Sequence, residues 1–85
     1  MVSVPEKTKI SAKVYPNPMN NFFTIETESQ SLKADITSVD GKLIASGLQL
    51  SQSSRIDASI WKEGLYFVKL YDENGNFKVL RIIKN

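Results

Sequence analysis

The chain has 85 residues, a formal net charge of +2, 41% hydrophobic residues, and neither cysteine nor histidine. That length suits a single domain with a thin core, burying roughly 60% of the surface that the unfolded chain exposes. The two missing residue types exclude a disulfide framework, a thiolate zinc site, Ser-His and Cys-His nucleophile pairs, and the usual general base near neutral pH. No catalytic residue, metal ligand or cofactor is therefore expected.

The run from Met1 to Ile10 is polar and unlike a signal peptide. No stretch approaches the ~20 apolar residues of a membrane-spanning helix, so direct membrane insertion is not expected. The chain reads as one domain over 1–85 in which 1–10 is a flexible linker or cleavage region. Any export leader belongs on a natural neighbour upstream. From Ile10 onward, apolar residues recur with period two in short runs, and none sustains helical spacing. Ile10, Ala12 and Val14 alternate with Ser11 and Lys13 until Pro16 stops the run. Phe23 and Ile25 alternate with Phe22, Thr24 and Glu26 until Ser29, Gln30 and Ser31 interrupt. A third run sets Leu32, Ala34 and Ile36 on one face and Lys33, Asp35 and Thr37 on the other, the pattern of a half-buried strand.

Asp40-Gly41 then predicts a two-residue hairpin with φ > 0 at both central positions, returning through Lys42 to Ala45 and ending at Gly47. After a serine-rich loop comes a short run around Arg55, Ile56 and Asp57. Asn74-Gly75 predicts a second hairpin between Leu65 to Tyr71 and Phe77 to Ile83. About seven short strands with turn signals at this spacing suggest an all-β fold, an immunoglobulin-like antiparallel β-sandwich.

Four motifs stand out in order: Val14-Tyr15-Pro16-Asn17-Pro18, Val39-Asp40-Gly41-Lys42-Leu43-Ile44, Gly64-Leu65-Tyr66-Phe67-Val68-Lys69 and Val79-Leu80-Arg81-Ile82-Ile83-Lys84. In order, spacing and terminal placement they resemble the type A C-terminal sorting domain of the type IX (Por) secretion system of Bacteroidetes, from about Lys13 to Asn85. The resemblance implies a secretion signal that directs a larger cargo, its N-terminal neighbour in the same chain, across the outer membrane. Its implied partners are the outer-membrane translocon and a surface sortase that removes the domain, cutting in or before Ser3 to Ser11. The implied location is extracellular or at the cell surface. One departure precedes Gly64, where Ile60-Trp61-Lys62-Glu63 replaces the family's usual leucine and small or proline-containing pair.

Taken residue by residue, each motif has a plainer reading. Pro16 and Pro18 cannot continue a ladder, so Tyr15 to Pro18 is either a corner in which Asn17 bonds its own backbone or a rigid element read by the machinery. Gly64 is expected at φ > 0. Tyr66, Val68 and Leu70 are expected in the core, with Trp61 beside them, rather than on a sugar-binding platform. The carboxylates read as solvated surface, and a calcium site near Asp72, Glu73 and Asn74 lacks the required ligand density.

The terminal strand places Val79 and Ile83 on one side and Leu80 and Ile82 on the other, so either it is covered on both faces or one pair is exposed as a basic, apolar edge. The final Lys84 and Asn85 are expected to carry few buried contacts. Charge is uneven: +2 over residues 1–13, +3 over 76–85 and −3 between. With no arginine-rich run or clustered aromatics, nucleic acid is not an expected partner. The recognition candidates are Tyr15, Pro16, Asn17, Pro18, Gly41, Gly64, Tyr66, Arg81, Ile82, Ile83 and Lys84. The alternative function is an immunoglobulin-like spacer or carbohydrate-binding module of an extracellular enzyme, since the fold alone hosts all of these.

Overall fold

The computed structural model describes residues 10–28 and 31–85, and within them the chain forms seven strands and no helix. They are β1 (Ala12–Tyr15), β2 (Phe22–Thr27), β3 (Lys33–Ser38), β4 (Leu43–Gln49), β5 (Ser53–Asp57), β6 (Gly64–Tyr71) and β7 (Phe77–Lys84). A three-stranded sheet has the order β1-β2-β5 and a four-stranded sheet the order β4-β3-β6-β7. Every strand pair is antiparallel. The chain changes sheet between β2 and β3, β4 and β5, and β5 and β6. This is the crossing pattern of an immunoglobulin-like sandwich.

The period-two runs are what make these strands pack. Phe23 and Ile25 enter the core from one sheet, and Ala34, Ile36, Val68, Leu70 and Ile82 from the other, all at 0% exposure. Leu32, Leu50, Met19 and Ala58 close the core from the connections. Each large side chain withdrawn in this way contributes about 1.5–3 kcal/mol. Trp61 seals one end, with its ring centroid 5.7 Å from Phe23 and 4.8 Å from Tyr66. The phenol of Tyr66 donates to the Lys62 carbonyl at 2.6 Å, so its polar end is satisfied where the ring is buried.

Three local expectations are corrected. Neither hairpin is a two-residue turn, because among the described residues no residue other than glycine has positive φ, and each hairpin loop holds one such glycine, Gly41 or Gly75, both at +90°. The Ser38 amide donates to the Lys42 carbonyl and the Gly41 amide to the Ser38 carbonyl. The β6–β7 hairpin closes likewise from the Asp72 amide to the Asn76 carbonyl. These are three-residue loops that need only one glycine at positive φ.

Gly47, in turn, does not end its strand. It lies within β4 at φ +67°, where the pairing with β3 shifts register between Ala34 and Ile36. Such a bulge places an extra residue in one strand and removes its amide from the ladder. Asp35 on β3 recovers that amide, accepting from Gly47 at 2.8 Å. The interruption expected at Ser29 and Gln30 lies outside the described residues.

Candidate recognition site

Pro16 and Pro18 end β1 and turn the chain away from its sheet; the Tyr15-Pro16 and Asn17-Pro18 peptide bonds are both cis. The segment that follows crosses to the other sheet and lies along the outer edge of β7. The Asn17 side chain donates from Nδ2 to the Arg81 carbonyl at 3.1 Å and accepts from the Ile83 amide at 2.9 Å. Two residues on, the Met19 amide donates to the Ile83 carbonyl at 2.7 Å, and the Asn85 amide to the Met19 carbonyl at 2.9 Å. Met19 and Lys84 thus form a parallel bridge, and the Met19 side chain is fully buried. Asn17 therefore does not bond its own backbone. Its amide imitates a strand's peptide group, and Asn17 to Met19 form a clip that covers the second half of the β7 edge, from the Arg81 carbonyl onward.

Other candidates gather around this clip. Gly64 pairs with Lys84, Leu65 with Ile83 and Tyr66 with Ile82 across β6–β7, while Ser38 pairs with Tyr66 from the next strand. Pro16, Pro18, Arg81 and Ile83 are exposed, whereas Ile82 and Tyr66 are in the core. Gly64 sits at φ +144°.

The Gly41 loop and the start of β6 border a groove of about 610 Å³, lined among others by Val39, Leu43, Ile60, Trp61 and Gly64. Ile60 is 92% exposed there. Ten of the eleven candidates thus gather on or against the β6–β7 side and the β3–β4 loop of the four-stranded sheet. Tyr15, by contrast, lies on β1 of the other sheet, where it pairs with Thr24 and its hydroxyl donates to Glu26 at 3.3 Å.

The terminal strand resolves one of the alternatives left open. Val79 and Ile83 are the exposed pair, at 50% and 45%, while Ile82 is buried and Leu80 half-buried. The last residues, by contrast, are not loosely held. Lys84 is 9% exposed and its Nζ donates to the Asn85 carbonyl, so the expectation of few buried contacts is corrected.

Two contributors escaped the sequence reading. One is Met19, which no periodic run includes. The other is Asp35, which accepts from the Gly47 amide, the Tyr71 hydroxyl at 3.0 Å and the Ser46 hydroxyl at 3.4 Å. The Gly47 amide chiefly, helped by the two hydroxyls and Lys69, holds its carboxyl below the usual aspartate range. Asp72 is lowered as well, mainly by the Asn76 side-chain amide, and its Oδ1 also accepts from the Asn74 and Asn76 backbone amides. Its oxygens order the loop. Among the described residues no group of three acidic side chains could hold a metal ion.

A two-sheet sandwich whose terminal strand is held by its own N-terminal corner defines a small immunoglobulin-like module. The family described as the secretion system C-terminal sorting domain matches residues 13–85, and the chain belongs to that type IX secretion system family. Members are typically non-enzymatic. Among solved structures, the chain is similar to one from work on PorZ of Porphyromonas gingivalis, described as an essential bacterial surface component of the type IX secretion system. The TM-score is 0.74 at 23% identity, over 87% of this chain and 11% of that one, and the likeness supports the fold. No curated protein matches the chain.

Proposed function

We infer that residues 1–85 form the C-terminal secretion signal of a larger cargo protein. The signal engages the outer-membrane translocon, carries the cargo from the periplasm to the cell surface or beyond, and is then removed by a surface sortase. The observation that carries this reading is the family match from residue 13 to residue 85, which spans the whole folded sandwich rather than one motif. The gathering of residues from each of the four motifs on one side of the four-stranded sheet supports it, because a receptor touching that side reads several motifs together. Removal by the sortase fits a cut in or before Ser3 to Ser11, upstream of β1. Residues 1–9 of that stretch lie outside the described residues.

The carbohydrate-binding alternative is weaker, because the ring best suited to a sugar platform, Trp61, is engaged by Phe23 and Tyr66. The test is transplantation. Residues 1–85 are fused behind an unrelated reporter with its own signal peptide, in a host that has this secretion route. The reporter is expected at the surface or in the medium, and lost from it when the host's translocon is deleted. A reporter that stays in the periplasm with the folded domain attached would leave a spacer as the function.

A further inference from the structure

β7 ends the four-stranded sheet, and its outer edge is used unevenly. Its register with β6 runs unbroken from Gly64↔Lys84 to Tyr71↔Phe77. The groups that meet the clip, the Arg81 carbonyl and the Ile83 amide and carbonyl, belong to alternate residues. An antiparallel ladder alternates between partnered and outward-facing residues. The same parity therefore turns the Val79 amide and carbonyl and the Arg81 amide outward. Among the described residues no strand lies beside that stretch, because the clip begins at Asn17, opposite Arg81.

The surroundings specify what could lie there. Val79 is half exposed and Arg81 exposed. From Asn76 to Asn85 every charged side chain is cationic, namely Lys78, Arg81 and Lys84. Lys69 adds a further cation on the neighbouring strand, 5.4 Å from the Phe77 ring centre. A second copy of this chain would bring the same basic stretch against it, whereas an acidic strand would meet complementary charge.

We propose that the Val79–Arg81 stretch of β7 is a strand-addition site for an extended acidic segment of a partner protein, and that the Asn17–Met19 clip confines addition to this half of the edge. Main-chain bonds supply affinity, while apolar contact with Val79 and ion pairing with Arg81 select the segment. The proposal rests on the sorting reading for the partner's place in the secretion route, but not for the chemistry of the edge.

The decisive variant is Val79→Pro. It removes an outward amide, which an edge strand tolerates, and leaves the β6–β7 ladder its bonds. Val79→Thr is the control. In the reporter fusion, Val79→Pro should keep the domain folded by thermal melting and lower export by about tenfold or more, while Val79→Thr exports normally. In solution, a short peptide of alternating valine and glutamate should bind the intact domain at least about tenfold more tightly than it binds Val79→Pro, and more tightly than the valine-lysine peptide binds the intact domain.

A folded Val79→Pro domain that exports and binds as the intact one does overturns the proposal. If Val79→Pro does not fold, Arg81→Glu decides: undiminished export and glutamate-peptide binding would overturn the acidic partner. Dimerisation of the intact domain that Val79→Pro abolishes would assign the edge to a second copy instead, and so also overturn it. Failure of the intact fusion to export sinks the sorting reading alone, since peptide binding still tests the edge.

Discussion

Asn17 offers one carbonyl oxygen and one amide to β7 in the spacing of a backbone peptide, and this explains why the residue between the two prolines is asparagine. Aspartate in its place keeps the acceptor for Ile83 but sets a carboxylate against the Arg81 carbonyl, and alanine loses both bonds. Asn17→Ala should cost about 1–2 kcal/mol by denaturant unfolding, with Asn17→Asp at least as damaging and the Ile83 amide exchanging faster in both. Unchanged exchange at Ile83 would show that the clip holds without its asparagine.

Asp35 is a second residue whose role depends on tertiary contact. Its folded pKa lies below the unfolded value, so its contribution is fully present above pH about 4 and is lost as pH falls through the lower folded value. Asp35→Asn should therefore lower the melting midpoint at neutral pH, and the gap to the parent should narrow in acid. A gap that does not change with pH would mean that its charge contributes nothing. Gly64 was readable in outline. Its positive φ was expected from the sequence, but a Cβ there would meet nothing within 4 Å, so Gly64→Val acts through backbone strain alone, costing about 1–3 kcal/mol. Gly64→Ala should cost nearly as much.

At the scale of elements, β2, β3 and β6 were legible because their buried positions alternate strictly, at Phe23 and Ile25, Leu32, Ala34 and Ile36, and Tyr66, Val68 and Leu70. Turn type was not legible from its dipeptide. Asp-Gly and Asn-Gly serve a three-residue loop as readily as a two-residue one, and the choice falls to Ser38 and Asp72, whose side chains accept the Lys42 amide and the Asn74 and Asn76 amides. Nor could periodicity extend β4 through Gly47, since a bulge breaks the alternation that identifies a strand. The terminal strand carries the consequence most open to test. Removing Lys84 and Asn85 deletes the pairing with Gly64 and the amide that meets Met19. The truncated domain should lose about 1–3 kcal/mol and show increased exchange at Met19, rather than melt like the parent. Export of a reporter by that truncation must accordingly be read beside its melting curve, or loss of fold will pass for loss of recognition.

For the whole molecule, alternating runs and turn residues sufficed to indicate two antiparallel sheets, because each half-buried strand needs a facing layer. How the layers are joined at the edge was hidden. It depends on a side chain 64 residues from its carbonyl partner, a separation that no local pattern encodes. Circular dichroism of the isolated domain should show β-structure with essentially no helix, and a substantial helical signal would contradict the architecture. The bridge between Met19 and Lys84 also orders events in time. A ribosome releases the chain from its N-terminus, so Met19 waits in the nascent chain until the final residues of this stretch have been made. Contacts between such distant positions are late and slow to form. A chain that lacks Ile83 to Asn85 has no partner for the Met19 backbone, and this edge stays open. The clip is thus a latch that can close only once everything from Met19 to Asn85 has been made.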